Sequence, residues 1–175
     1  MLDLQAPAAA PADSARPPTA LQIVLDRSGS MSGPPLAGTQ QALACVVAQL
    51  DPKDVFGLVA FDDAAMVVVP AAPLTDKQRA IDAIGAVTPG GCTDLSSGYL
   101  RGLQELRRAT ASAGVRGGTV LVISDGHINT GIRDHDEFAG IAAKAAADGI
   151  TTSTLGYGRG YDESLLEVIT RTGNG

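Results

Sequence analysis

Apolar residues arrive along this chain in two alternating rhythms. Short runs of apolar or β-branched residues lie at 21–25, 55–61, 65–69, 119–123 and 150–155. Each run stops at Asp, Pro, Ser or Gly, as buried strands do. Between the runs, apolar residues recur at helical spacing. Leu43, Val46, Val47 and Leu50 share one face, and so do Phe138, Ile141, Ala142 and Ala145. Further helices are expected over 76–86, 95–111 and 162–170. Pro34 and Pro35 suit the first turn of the helix that leads to Leu50. Gly114 and Gly149 suit helix ends.

The runs at 55–61 and 119–123 are apolar almost throughout, the mark of strands covered on both faces. Strands alternating with helices then imply an α/β fold, with a mostly parallel sheet between two helical layers. Asp62-Asp63 reads as a tight turn, so the second and third strands form an antiparallel hairpin at one edge.

Composition sets bounds on this picture. A length of 175 residues suits one domain. Aromatics are 3% of a chain that is 45% apolar, so the core is built from Val, Leu, Ile and Ala. The net charge of −6, with no Lys/Arg cluster, argues against a nucleic-acid partner. No stretch is long and apolar enough to span a bilayer. The first 20 residues lack the basic start and apolar middle of a signal peptide, and the chain inclines only weakly to the cytoplasm. Ala6 to Thr19 is an Ala/Pro-rich linker, preceded by the short alternating fragment Leu2-Asp3-Leu4. The expected organisation is therefore a fragment of a preceding region plus linker over 1–20, and a domain over 21–175. Cys45 lies within an apolar helical pattern and is expected in the core, whereas Cys92 lies in a glycine-rich loop. Two cysteines make no disulfide framework, and no paired Cys/His spacing marks a zinc site.

The chemistry gathers where strands end. The first strand stops at Asp26, and Ser28 and Ser30 follow at alternate positions. The strand Val120-Leu-Val-Ile-Ser124 stops at Asp125-Gly126 in the same way. In open α/β sheets ligands bind beyond the strand carboxyl ends, where strand order reverses. A third loop, Pro89-Gly-Gly-Cys-Thr93-Asp94, precedes a helix. Either Thr93 or Asp94 can cap that helix, or Thr93 can turn its hydroxyl into the same crevice. The donors gathered this way are all oxygen, the set that hard divalent cations prefer.

Asp26-x-Ser28-x-Ser30, then Thr93 after a Gly-rich turn, then Asp125-Gly126 after a strand, resembles a von Willebrand factor type A domain. The five residues match that family's metal-ion-dependent adhesion site, and the resemblance runs from about Leu21 to Gly173. It implies a Rossmann-like three-layer α/β/α sandwich with one antiparallel edge strand. It also implies that Ser28, Ser30 and Thr93 supply hydroxyl oxygens, and that Asp26 and Asp125 supply carboxylates directly or through water. The implied ion is Mg²⁺, with Mn²⁺ or Ca²⁺ as alternatives. The implied function is non-enzymatic: a protein-binding module whose ion takes an Asp or Glu carboxylate from a partner. Mg²⁺ wants an octahedral oxygen shell, and neutral hydroxyls leave it short of negative charge, which suits an incoming carboxylate.

Other functions weigh less. A metal-assisted hydrolase would use the same carboxylates to activate water, but no nucleophile is paired with a His and Arg27 is the lone cation near the motif. A structural domain with an incidental metal site is the remaining alternative. His127 reads as a rim residue, and Asp134, Asp136 and Glu137 as acids that favour a helix start. Gly156-Tyr-Gly-Arg-Gly160 lacks the spacing of a dinucleotide fingerprint. The family's last strand follows the helix at 162–170, so the final strand and helix are expected to be missing from a chain ending at Gly175. The strand at 150–155 would then have an open edge, able to pair with Leu2–Gln5 or with a second copy.

Overall fold

The computed structural model describes residues 16–125, 128–157 and 162–175. Among these residues are five strands and five α-helices. They are β1 (Ala20–Asp26), α1 (Pro34–Gln49), β2 (Val55–Phe61), β3 (Ala65–Pro73), α2 (Lys77–Gly85), α3 (Leu95–Ala113), β4 (Gly118–Ser124), α4 (His135–Ala147), β5 (Ile150–Gly156) and α5 (Glu163–Thr172). A short 3-10 turn, Gly29–Met31, separates β1 from α1.

The sheet order is β3-β2-β1-β4-β5. All neighbours are parallel except β2 and β3, which form the antiparallel hairpin at the edge. The chain leaves β1 for β2 on one side and later reaches β4 on the other. Strand order therefore reverses at β1, which places a crevice beyond the carboxyl ends of β1 and β4.

Alternate residues of β1 feed the two layers. Val24 packs with Leu95, Tyr99, Leu103 and Phe138 on the α3/α4 face. Ile23 and Leu25 pack with Leu36, Leu43, Val47 and Ile84 on the α1/α2 face. Helix α3 lies close against the sheet because glycines face it. A Cβ on Gly98 would stand 2.5 Å from the Phe61 ring, and one on Gly102 would stand 2.4 Å from Val24 Cγ2.

Three features differ from the sequence expectations. Cys45 is exposed, and Val46 is 38% exposed. Helix α1 turns Leu36, Thr39, Leu43 and Val47 inward, and Cys45 stands two residues, or about 200°, round from Leu43. Strand β3 continues past Val69 to Pro73, through register shifts against Phe56–Val59. Its prolines, Pro70 and Pro73, are tolerated because the strand is at an edge. At the opposite edge, Thr152 N–H donates to Gly173 O at 2.9 Å, and Thr152 and Asn174 form an isolated parallel bridge.

The end of the linker is held down. Arg16 makes a two-pronged ion pair with Asp54, one contact at 2.8 Å, and Thr19 N–H donates to the same carboxylate at 3.0 Å. Asp54 is fully buried, and the Arg16 guanidinium beside it holds its carboxyl far below the usual range. Among the described residues, no helix is long and apolar enough to cross a membrane.

Candidate functional site

Strand β1 carries Asp26 to its carboxyl end, where the side chain is fully buried. Ser28 N–H donates to Asp26 Oδ1 at 2.8 Å, and Ser124 Oγ donates to Oδ2 at 2.6 Å. Burial pushes the Asp26 carboxyl above its ordinary range; the Ser124 and Ser28 hydrogen bonds oppose that shift, and the charge of Asp125 adds to it. A buried carboxylate held this way is a strong, fixed negative charge when ionised. The Ser28 and Ser30 hydroxyls lie 3.1 Å apart in the turn that follows. Ser28 is buried and Ser30 exposed, while fully buried Met31 anchors the turn in the core.

Strand β4 pairs Ile123 with Leu25, so Asp125 follows at the same end of the adjacent strand. Its side chain is nearly buried. Thr93 comes from the segment between α2 and α3 and is also buried. That segment is seated against the β1 loop by main-chain bonds. Gly90 N–H donates to Arg27 O at 2.6 Å, and Gly29 N–H donates to Gly91 O at 3.0 Å. The helix cap falls to Asp94, whose carboxylate accepts from Ser97 N–H at 3.0 Å and Ser96 Oγ at 2.5 Å. Capping of α3 is thus the work of Asp94, and Thr93 sits one residue before it. All five sequence-selected residues lie at one end of the sheet, on three adjoining segments.

Sequence reasoning missed the struts of this region. Arg27 does not stand alone at the rim: its guanidinium meets Asp62 at 2.5 Å and Thr88 O at 3.1 Å. Asp62, besides turning the β2–β3 hairpin, accepts from Gly91 N–H at 3.4 Å, and its carbonyl accepts from Asp94 N–H at 2.8 Å. Asp63 accepts from Cys92 N–H at 3.2 Å. These pairings span 29 or more residues, and no local pattern announces them. His135 stands 3.6 Å from Asp162 at the start of α4, where Asp134 caps the helix. His127 and most of Gly156–Gly160 lie outside the described residues.

The arrangement offers two carboxylates and three hydroxyls. Among the described residues, no group of three or more His, Cys, Asp and Glu is placed to hold a metal. The Asp26 set instead combines carboxylates with hydroxyls, a donor chemistry that fits a hard cation and not a soft one.

Known proteins bear on this arrangement. An uncharacterized protein of Synechocystis sp., sll0103, is 29% identical over 160 residues, covering 91% of this chain and 37% of that protein. The chain spans well under half the length of the first curated relatives it matches. Among solved structures, the conserved hypothetical protein BatB of Bacteroides thetaiotaomicron superposes with a TM-score of 0.72 at 21% identity, covering 90% of this chain and 87% of that one. Proximal thread matrix protein 1 of the mussel byssus, in a structure with a zinc-occupied MIDAS motif, superposes with a TM-score of 0.67 at 22% identity. That match covers 87% of this chain and 41% of the mussel protein. Residues 21–175 match the von Willebrand factor type A domain, and the chain belongs to that family of protein-interaction modules.

Proposed function

We propose that Asp26, Ser28, Ser30, Thr93 and Asp125 hold one divalent cation, and that this end of the sheet captures an acidic side chain from a partner protein. The burial of Asp26 carries the proposal. A fully buried carboxylate, raised in pKa and set beside a second carboxylate, is an electrostatic cost until a cation neutralises it. The Ser28–Ser30 hydroxyl pair adds neutral oxygen donors at the same point. The occupied MIDAS of the mussel relative supports the same use of the fold.

The donor chemistry favours Mg²⁺, with Mn²⁺ and Ca²⁺ as alternatives. When bound, the ion supplies an open coordination position for a carboxylate oxygen. Asp26 is held by Ser28 and Ser124, so its orientation is set before any partner arrives. No bond in the partner needs to break, so the proposed role is recognition and not catalysis.

A pull-down from native lysate tests this, run with Mg²⁺, with chelator, and after carbodiimide amidation of lysate carboxylates. Partners retained in Mg²⁺ alone, and lost on chelation or amidation, are the expected result. Partners held equally in all three conditions would contradict it.

A further inference from the structure

Thr93 is held from two sides, in two different ways. Toward the β1 loop the fastening is main chain to main chain, through Gly90 and Gly91. Toward the segment after β4 it includes one side chain. Thr93 N–H, in a residue 1% exposed, donates to Asn129 Oδ1 at 2.7 Å. Thr93 C=O accepts from Asn129 N–H and Thr130 N–H, both at 3.3 Å. Asn129 lies four positions beyond Asp125 and 36 beyond Thr93.

Neighbouring contacts continue the same fit. Ile132 N–H donates to Ser96 Oγ at 3.1 Å. Gly131, with φ +76°, passes so close to Asp94 that a Cβ would lie 2.0 Å from its Oδ1. The stretch 129–132 is therefore moulded onto 93–96, and the Asn129 carboxamide is its one side-chain tie to Thr93 among the described residues.

We propose that Asn129 is a positioning residue that fixes Thr93 relative to Asp125, and so sets the cation affinity of the site. This rests on the cation site proposed above. A carboxamide suits the task because it presents an acceptor without adding a charge beside the carboxylates. Without it, a buried N–H loses its partner and the Thr93 segment shifts to regain one.

The test measures Mn²⁺ affinity by calorimetry and exchange of the Thr93 amide by NMR in metal-free protein. In Asn129→Ala, Thr93 exchange accelerates while β1 and β4 amides keep wild-type rates, and Mn²⁺ binding weakens on the order of 10–100-fold. Asn129→Asp keeps the acceptor, so Thr93 stays protected, and its added negative charge leaves Mn²⁺ affinity no lower than in wild type. If Asn129→Ala does not fold, Asn129→Gln, whose acceptor is displaced by one methylene, is held to the same expectation. Wild-type Mn²⁺ affinity in the Ala or Gln variant, with Asp125→Ala abolishing binding, overturns the role of Asn129 and leaves the cation site intact. Equal affinity in wild type and Asp125→Ala overturns the cation site, and this inference with it.

Discussion

Replacing Asp26 by Asn should stabilise the metal-free protein and remove its response to Mg²⁺. The substitution keeps the shape of the side chain. Its Oδ1 can still accept from Ser28 N–H, and its amide can donate to Ser124 Oγ. What disappears is a charge in a fully buried position next to Asp125. Burying an ion costs several kcal/mol in a relaxed protein. Two hydrogen bonds to a charged group return about 1.5–3 kcal/mol each. The raised pKa says that the burial cost wins over the Ser124 and Ser28 hydrogen bonds, so the uncharged variant is the more stable of the two in chelator. For a chain of this size, each kcal/mol moves Tm by about 2–4 °C.

The sign with pH follows from the direction of the shift. A folded carboxyl pKa above the unfolded one gives a contribution fully present below the unfolded value, and lost as pH rises through the folded value. In chelator, the variant and wild type should therefore converge at low pH and separate as pH rises through the carboxylate range. Mg²⁺ at about 100 times its Kd should add about 2.7 kcal/mol to the wild type and nothing to the variant. Urea melts with chelator and with Mg²⁺, at several pH values, make the comparison. A variant less stable than wild type in chelator would refute the burial argument. Equal stabilisation of both by Mg²⁺ would refute the role of Asp26 in binding.

Other consequences can be measured in the same way. The Arg27–Asp62 pair is mostly shielded, with side chains 20% and 11% exposed, so a double-mutant cycle of Arg27→Ala and Asp62→Ala should give a coupling of about 1–2 kcal/mol, against near zero for an exposed pair. Gly102→Ala should destabilise by about 1–3 kcal/mol, because its methyl meets Val24 beneath α3; a neutral urea midpoint would show that the helix can move away. Asp54→Asn should destabilise at neutral pH, and its deficit should shrink as pH falls below about 4, since a depressed folded pKa contributes stability that acid removes. A deficit that stays constant with pH would mean that the Arg16–Asp54 pair is not its source.

The sheet and its connections were legible in the chain because burial imposes period. Both-face burial made 55–61 continuous in apolar residues, and capping chemistry placed Asp94, Asp134 and Gly114 at helix ends. The five residues proposed to hold the cation were singled out because each stands next to a strand end or a glycine turn, and the fold brings their segments to one end of the sheet. Cys45 and Val46 misled because α1 carries apolar residues on more than its inward stripe. Asn129, Asp62 and Arg27 left no local trace. Asn129 acts on a residue 36 positions away, and Asp62 sits in a turn that accounts for an acid without any strut. Such residues show their use only when the fold brings distant loops into contact.

Calorimetric titration of Mg²⁺ into wild type and Asp125→Ala, both confirmed as folded, tests the central claim most directly. A saturable one-site heat in the wild type and none in the variant is the predicted result. Equal heats, or no binding by wild type at millimolar Mg²⁺, would contradict a cation site at Asp26, Ser28, Ser30, Thr93 and Asp125.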